Sequence, residues 1–213
     1  LRNGLAVLTG ILLNNVAGSI SDSVMACIGV CNKVMMFPFN IILGFGTGFQ
    51  PVAGFNWGAK RYDRVDSSYR FASRTATFGS LVMAVGLGIF AEPVIKLFAG
   101  EDLQMMEVGL LCLRLQCIAL PVHAWVAVVN MLCTGLGNAK GAILLATSRQ
   151  GTCMIPLIYP LAYLFGEYGI ASVQAGADFL SLALAIPIAI AMTRKIKSAL
   201  QTQLENVQQL TAV

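Results

Sequence analysis

The sequence has 213 residues, of which 57% are hydrophobic and only 11% charged, and its formal net charge is +4. A soluble globular chain carries about 25% charged residues, so this composition excludes an ordinary soluble domain and points to a bilayer. The positive balance does not signal nucleic acid, because the basic residues stand at the ends of apolar runs and not along one polar face.

Six apolar runs follow in chain order, and most meet the requirement of about 20 apolar residues for a spanning helix. The first covers residues 4–20 and ends at the polar turn Ser21, Asp22 and Ser23; the second, unusually long, covers 24–57 and crosses Pro38 and Pro51. After a basic loop come 71–91, 105–132, 142–165 and 170–192, and residues 193–213 are expected to form a polar, amide-rich cytoplasmic tail, frayed or lying as a surface helix. The expected fold is therefore an all-α membrane protein with a six-helix transmembrane lobe over residues 1–192. With no initiator Met and no charged leader before the first run, a signal peptide is not expected, and the chain reads as a piece of something longer.

Loop charges predict the orientation. If the first helix starts inside, the inner ends carry Arg2, then Lys60, Arg61, Arg64, Arg70 and Arg74, then Lys140 and Arg149, then Arg194, Lys195 and Lys197, which is eleven of the fourteen basic residues. The opposite turns carry Asp22, Glu92, Glu101, Asp102, Glu107 and Glu167 with Lys96. Short-loop Lys and Arg stay inside, so both termini are expected in the cytoplasm. The six cysteines form no C-x-x-C pair and lie within apolar runs, so neither a disulfide framework nor a metal site is expected.

The most distinctive stretch runs from Gly44 to Val65. Gly44, Gly46 and Gly48 remove side chains where another backbone could approach, and Pro51 deletes one helical hydrogen bond. Lys60, Arg61 and Arg64 then anchor the inner face. The run from Gly48 to Val65, with its Gln50-Pro51-Val52-Ala53-Gly54-Phe55-Asn56-Trp57-Gly58-Ala59 core, resembles the second helix of the C-terminal lobe in the multidrug and toxic compound extrusion (MATE) transporters. It is most similar to the bacterial branch, and Leu12–Gly18 and Gly135–Lys140 fall where that branch has comparable runs.

That resemblance implies a specific set of expectations. The chain would be helices seven to twelve of a twelve-helix transporter, one six-helix lobe whose N-terminal companion is missing. It would sit in a bacterial plasma membrane and export small amphiphilic or cationic compounds in exchange for protons or sodium, with no cofactor. The family's sodium-coupled branch has acids in the first and fourth helices of this lobe. Here the first has Asn14 and Asn15 and the fourth has Gln116, His123 and Trp125, so any coupling carboxylate is expected in the companion lobe.

Each candidate site residue has two readings. Asn14 and Asn15 could line the substrate cavity or bond another helix. Lys33, Met36, Phe37 and Asn40 recur at helical spacing; together they suit a polyspecific cavity, and equally a packing stripe with Lys33 reaching the headgroups. Gln50, Pro51 and Asn56 read first as conformational machinery, a hinge. Arg114 and His123 are assigned to the cavity, with snorkelling and a structural histidine as their alternatives, and a histidine can carry a proton near neutral pH. Asp178 is the only carboxylate deep in a run, functional or structurally paired. A lipid-linked oligosaccharide flippase would need more basic cavity residues than Lys33 and Arg114, and an intramembrane enzyme would need a nucleophile-base or metal constellation that this sequence does not offer.

Overall fold

The computed structural model describes residues 2–100 and 102–211, so Glu101 lies outside it, as do the side chains of Arg2, Asn3, Gln150, Val207, Leu210 and Thr211. Within those residues the chain is a series of helices joined by tight turns. Helix α1 (Arg2–Ile20) stops at Ser21, whose extended backbone (φ −165°, ψ 144°) and hydroxyl cap the next helix by accepting the Ser23 amide. Helix α2 (Asp22–Gly58) then runs through both prolines without a break. Its 37 residues give about 55 Å, well beyond a hydrocarbon core of roughly 30 Å.

Lys60, in the left-handed region at φ 56°, turns the chain into α3 (Tyr62–Ile89). This helix begins nine residues before the apolar run at 71–91, inside the basic stretch, where Arg70 pairs with Asp66 one turn away. Short α4 (Ala91–Ala99) closes the far end. Asp102 caps α5 (Leu103–Gly135) by accepting the Met105 amide at 3.0 Å; hydrogen bonds from Ser23 and from that amide hold its carboxyl below the usual carboxylate value.

Beyond Gly135 the path is less regular. Helix α6 (Ala139–Thr147) passes into a single π-helical turn, Ser148–Thr152, and then into α7 (Met154–Thr211). Gly166 splits α7 into two arms with φ 55° and ψ −128°, a backbone region open essentially only to glycine. The run expected at 142–165 is divided among α6, the π turn and the first arm, and the second arm carries the run expected at 170–192. The second arm continues as helix through 193–211, without a break before the polar tail.

Helix α5 is the centre, packed against α2, α3, α4, α6 and α7. Its buried residues, from Met105 to Cys133, anchor the larger apolar core; a second core joins Leu13 and Ala17 of α1, Val24 and Ile28 of α2, and Ile158 and Val173 of α7. Inside a bilayer such packing draws on van der Waals contact, which rewards small residues at crossings. Helices α2 and α5 cross closely at Gly54 and Gly135, where a Cβ on Gly135 would lie 2.8 Å from the Gln50 carbonyl oxygen. The expectation for Gly44, Gly46 and Gly48 is not met: nothing lies within 4 Å of a Cβ at Gly44 or Gly48, and Gly46 faces only the Met131 side chain. The backbone approach occurs two turns later, at the glycine of the Gln-Pro-x-x-Gly motif.

One end of the lobe is tied by polar contacts. Ser21 donates to Gln104, Gln104 donates to Glu167 at 2.5 Å, and Tyr168 donates to Glu107 at 2.7 Å, joining the α1–α2 turn, α5 and the Gly166 break. All six cysteines are buried and free.

Candidate functional site

The second arm of α7 is apolar on most sides, but Gln174, Asp178 and Ser181 recur at spacings of four and three and so share one face. That face looks into a cavity of about 290 Å³ between α2, α5, the π turn and α7. Asp178 is only 3% exposed. Its Oδ1 lies 2.7 Å from Nε of Arg149 and 3.5 Å from Nδ1 of His123. Arg149 reaches it from the π turn, and such turns concentrate at functional positions because they re-aim one side chain.

Helix α2 supplies the aromatic floor. The Phe39 ring lies 4.2 Å beneath the Arg149 guanidinium and meets His123 edge-on at 4.8 Å between ring centres. The Phe39 ring thus packs against both the Arg149 and the His123 side chains that flank the carboxylate. Arg149 approaches Asp178 off the line of its N–H bond, so among the described residues Nε and Nη2 of Arg149 and Oδ1 of Asp178 complete no hydrogen bond. Buried polar atoms of this kind are rare and call for a role. With neutral histidine the three charges sum to zero, and a proton on His123 makes the cluster positive.

Of the expected cavity residues, Met36, Asn40 and His123 line this space. Asn14, Asn15, Lys33, Phe37 and Arg114 do not. Asn14 and Asn15 are exposed on α1, and Lys33 and Phe37 are exposed one position round the helix from the stripe Asn32, Met36 and Asn40 that borders the cavity. Arg114 lines a separate groove between α3 and α5. In the motif, Gln50 is half-buried, Pro51 exposed, and Asn56 donates to the Val52 carbonyl of its own helix at 2.8 Å. Lys60, Arg61 and Arg64 are exposed at the α2–α3 turn.

The cavity also contains residues that the sequence reading did not single out: Asn32, Phe39, Asn130, Arg149, Gln174 and Ser181. Arg149 is counted among the inner-end basic residues in the orientation argument, although it lies within the run at 142–165. The polar spacing of Gln174, Asp178 and Ser181 was the available signal for the rest. A carboxylate does enter the cavity of this lobe, from α7 and not from the first or fourth helix.

Residues 1–160 match the MatE family. Multidrug export protein MepA of Staphylococcus haemolyticus is 25% identical over 166 residues, which are 76% of this chain and 35% of that protein. The chain thus spans about a third of the length of the curated relatives it matches. The fold is similar to Vibrio cholerae MATE transporter VcmN in its bent form (TM-score 0.83, 17% identity, 93% of this chain and 45% of that one). It is also similar to a MOP superfamily transporter from Pyrococcus furiosus (TM-score 0.80, 18% identity, 93% of this chain and 44% of that one). With most of its length matched by the family and its helices superposing on those transporters, the chain belongs to the MatE family.

Proposed function

We propose that this chain is one lobe of a secondary multidrug efflux transporter in a bacterial plasma membrane, both termini cytoplasmic. The lobe exports small amphiphilic or cationic compounds against a proton or sodium gradient, and a second lobe completes the path. The observation that carries this reading is the buried Arg149–Asp178 pair with His123, set in a cavity whose rim is the exposed Met36 and Asn40. Soft Met and aromatic surface adapts to varied ligands while a few fixed polar groups orient them. The exposed amides of α1 and α2, Asn14, Asn15, Asn32 and Asn40, support a face turned to a second lobe across a water-filled path, since such groups are costly against lipid.

Pro51 contributes movement in this account. It has no N–H for the Thr47 carbonyl, and the Thr47 hydroxyl bonds back to Gly44 at 2.8 Å, so α2 lacks one rung between cavity and inner anchor. Co-expression of this chain with the remainder of the transporter is expected to produce efflux of a lipophilic cation such as ethidium, and Pro51→Ala to lower the maximal rate several-fold with little change in binding. Absence of efflux despite correct insertion of both parts would refute the transport reading; normal kinetics in the alanine variant would refute the hinge.

A further inference from the structure

Four of the described helices are long and apolar enough to cross a membrane, α3 and α5 among them. Away from the cavity, these two form a second groove whose walls are matched helical stripes. Leu81, Ala84, Val85 and Gly88 line it from α3, and Arg114, Cys117, Ile118 and Pro121 line it from α5. Both stripes follow the same spacing of three, four and seven residues, so each is a single helix face about 10 Å long. Because the helices run in opposite directions, Gly88 and Arg114 share the end of the groove nearest α4.

The flanks of this groove are hydrocarbon-like. Phe71, Phe78, Val82 and Ile89 of α3 are all exposed and apolar, unlike the amide-bearing face of α1 and α2. Arg114 is exposed among them, and no described residue gives it an ion pair or hydrogen bond. Helix α5 is about 50 Å long, so when centred on a 30 Å core it overhangs by roughly 10 Å at each end; Arg114 lies about 16 Å along the axis from Leu103. Its Cα therefore sits about 6 Å inside the hydrocarbon boundary, within reach of a headgroup phosphate for a snorkelling arginine. At Gly88 a Cβ would meet nothing within 4 Å, which leaves room for a ligand beside the guanidinium.

We infer that the α3–α5 groove seats one anionic phospholipid, its phosphate on Arg114 and an acyl chain along Leu81, Val85 and Ile118. The planar guanidinium pairs with phosphate at two points, and the apolar stripes hold the chain that a free phosphate lacks. The site is separate from the transport cavity and stands independently of the efflux reading.

The test is native mass spectrometry of the protein purified in detergent and titrated with dioleoylphosphatidylglycerol. The expected result is one tight lipid whose affinity falls about tenfold in Arg114→Gln, a change equal to the loss of one charge-assisted contact. Gly88→Leu, which fills the groove and leaves the charge in place, is expected to lower affinity comparably, and inorganic phosphate is expected not to compete. Unchanged binding in Arg114→Gln would overturn the site. So would competition by inorganic phosphate, or a Gly88→Leu variant that binds normally, because either would leave a bare cation without a seated lipid.

Discussion

Asp178→Ala is expected to destabilise the lobe by about 3–5 kcal/mol and to abolish efflux, because it leaves the Arg149 guanidinium buried beside an apolar gap. Both side chains of the pair are largely sequestered, at 14% and 4% exposure, so hydration from the cavity only partly replaces the lost partner. The double variant Arg149→Gln with Asp178→Asn separates structure from function. Neutral residues of similar volume remove both desolvation costs together, and such replacements of a buried pair are often neutral in stability. Thermal unfolding of the double variant is therefore expected close to wild type, while efflux remains lost because the cavity no longer presents a charge that a proton on His123 can unbalance. A double variant that transports normally would reduce the cluster to packing. An Asp178→Ala protein as stable as wild type would show that the pair does not hold the π turn to α7.

The second large effect lies at the α2–α5 crossing. Gly135→Ala is expected to cost about 1–3 kcal/mol, the usual cost of overpacking, since its Cβ would lie 2.8 Å from the Gln50 carbonyl and 3.3 Å from Ala53 Cβ. The first of these neighbours is backbone within a continuous helix, which cannot swing aside as a side chain would. Gly48→Ala is the matched control: its Cβ meets nothing within 4 Å, so the change should stay within about 0.5 kcal/mol. Detergent-solution unfolding of the two variants compares them directly. Equal stability would mean that the helices slide apart at no cost and that the motif glycine Gly54 has no packing role.

These contrasts also mark what the residues disclosed before the structure. The apolar runs separated by charged or glycine-rich breaks pointed to an all-helical membrane fold, since span length is set by bilayer thickness, and Gly166 falls between the last two runs. The glycine-rich stretch identified the right helix but the wrong contact. Spacing shows that a face is small, whereas which glycine meets a backbone depends on where the axes cross, and that falls at Gly54 and Gly135. On α2, residues 33, 36, 37 and 40 occupy one broad arc, yet the cavity takes only the half shared by Met36 and Asn40. Periodicity defines a face without fixing its rotation.

Arg149 was hidden for a different reason. Basic residues beside an apolar run are read as topology signals, and no local spacing announces the π turn that redirects this side chain into the lobe. Asp178 was visible as an anomaly, but its partners lie 29 and 55 positions earlier in the chain. No local pattern could have paired them.

The face bearing Asn40 is expected to line a water-filled path while the apolar face of α3 meets lipid. Single cysteines at Asn40 and Phe78, both exposed in this lobe, provide the test; the six native cysteines are buried and should contribute little background. With the protein in its native membrane, a membrane-impermeant maleimide is predicted to label Asn40→Cys, more slowly in the presence of a lipophilic cation, and to leave Phe78→Cys unmodified. Labelling of Phe78→Cys alone, or of neither position from either side of the membrane, would contradict the account.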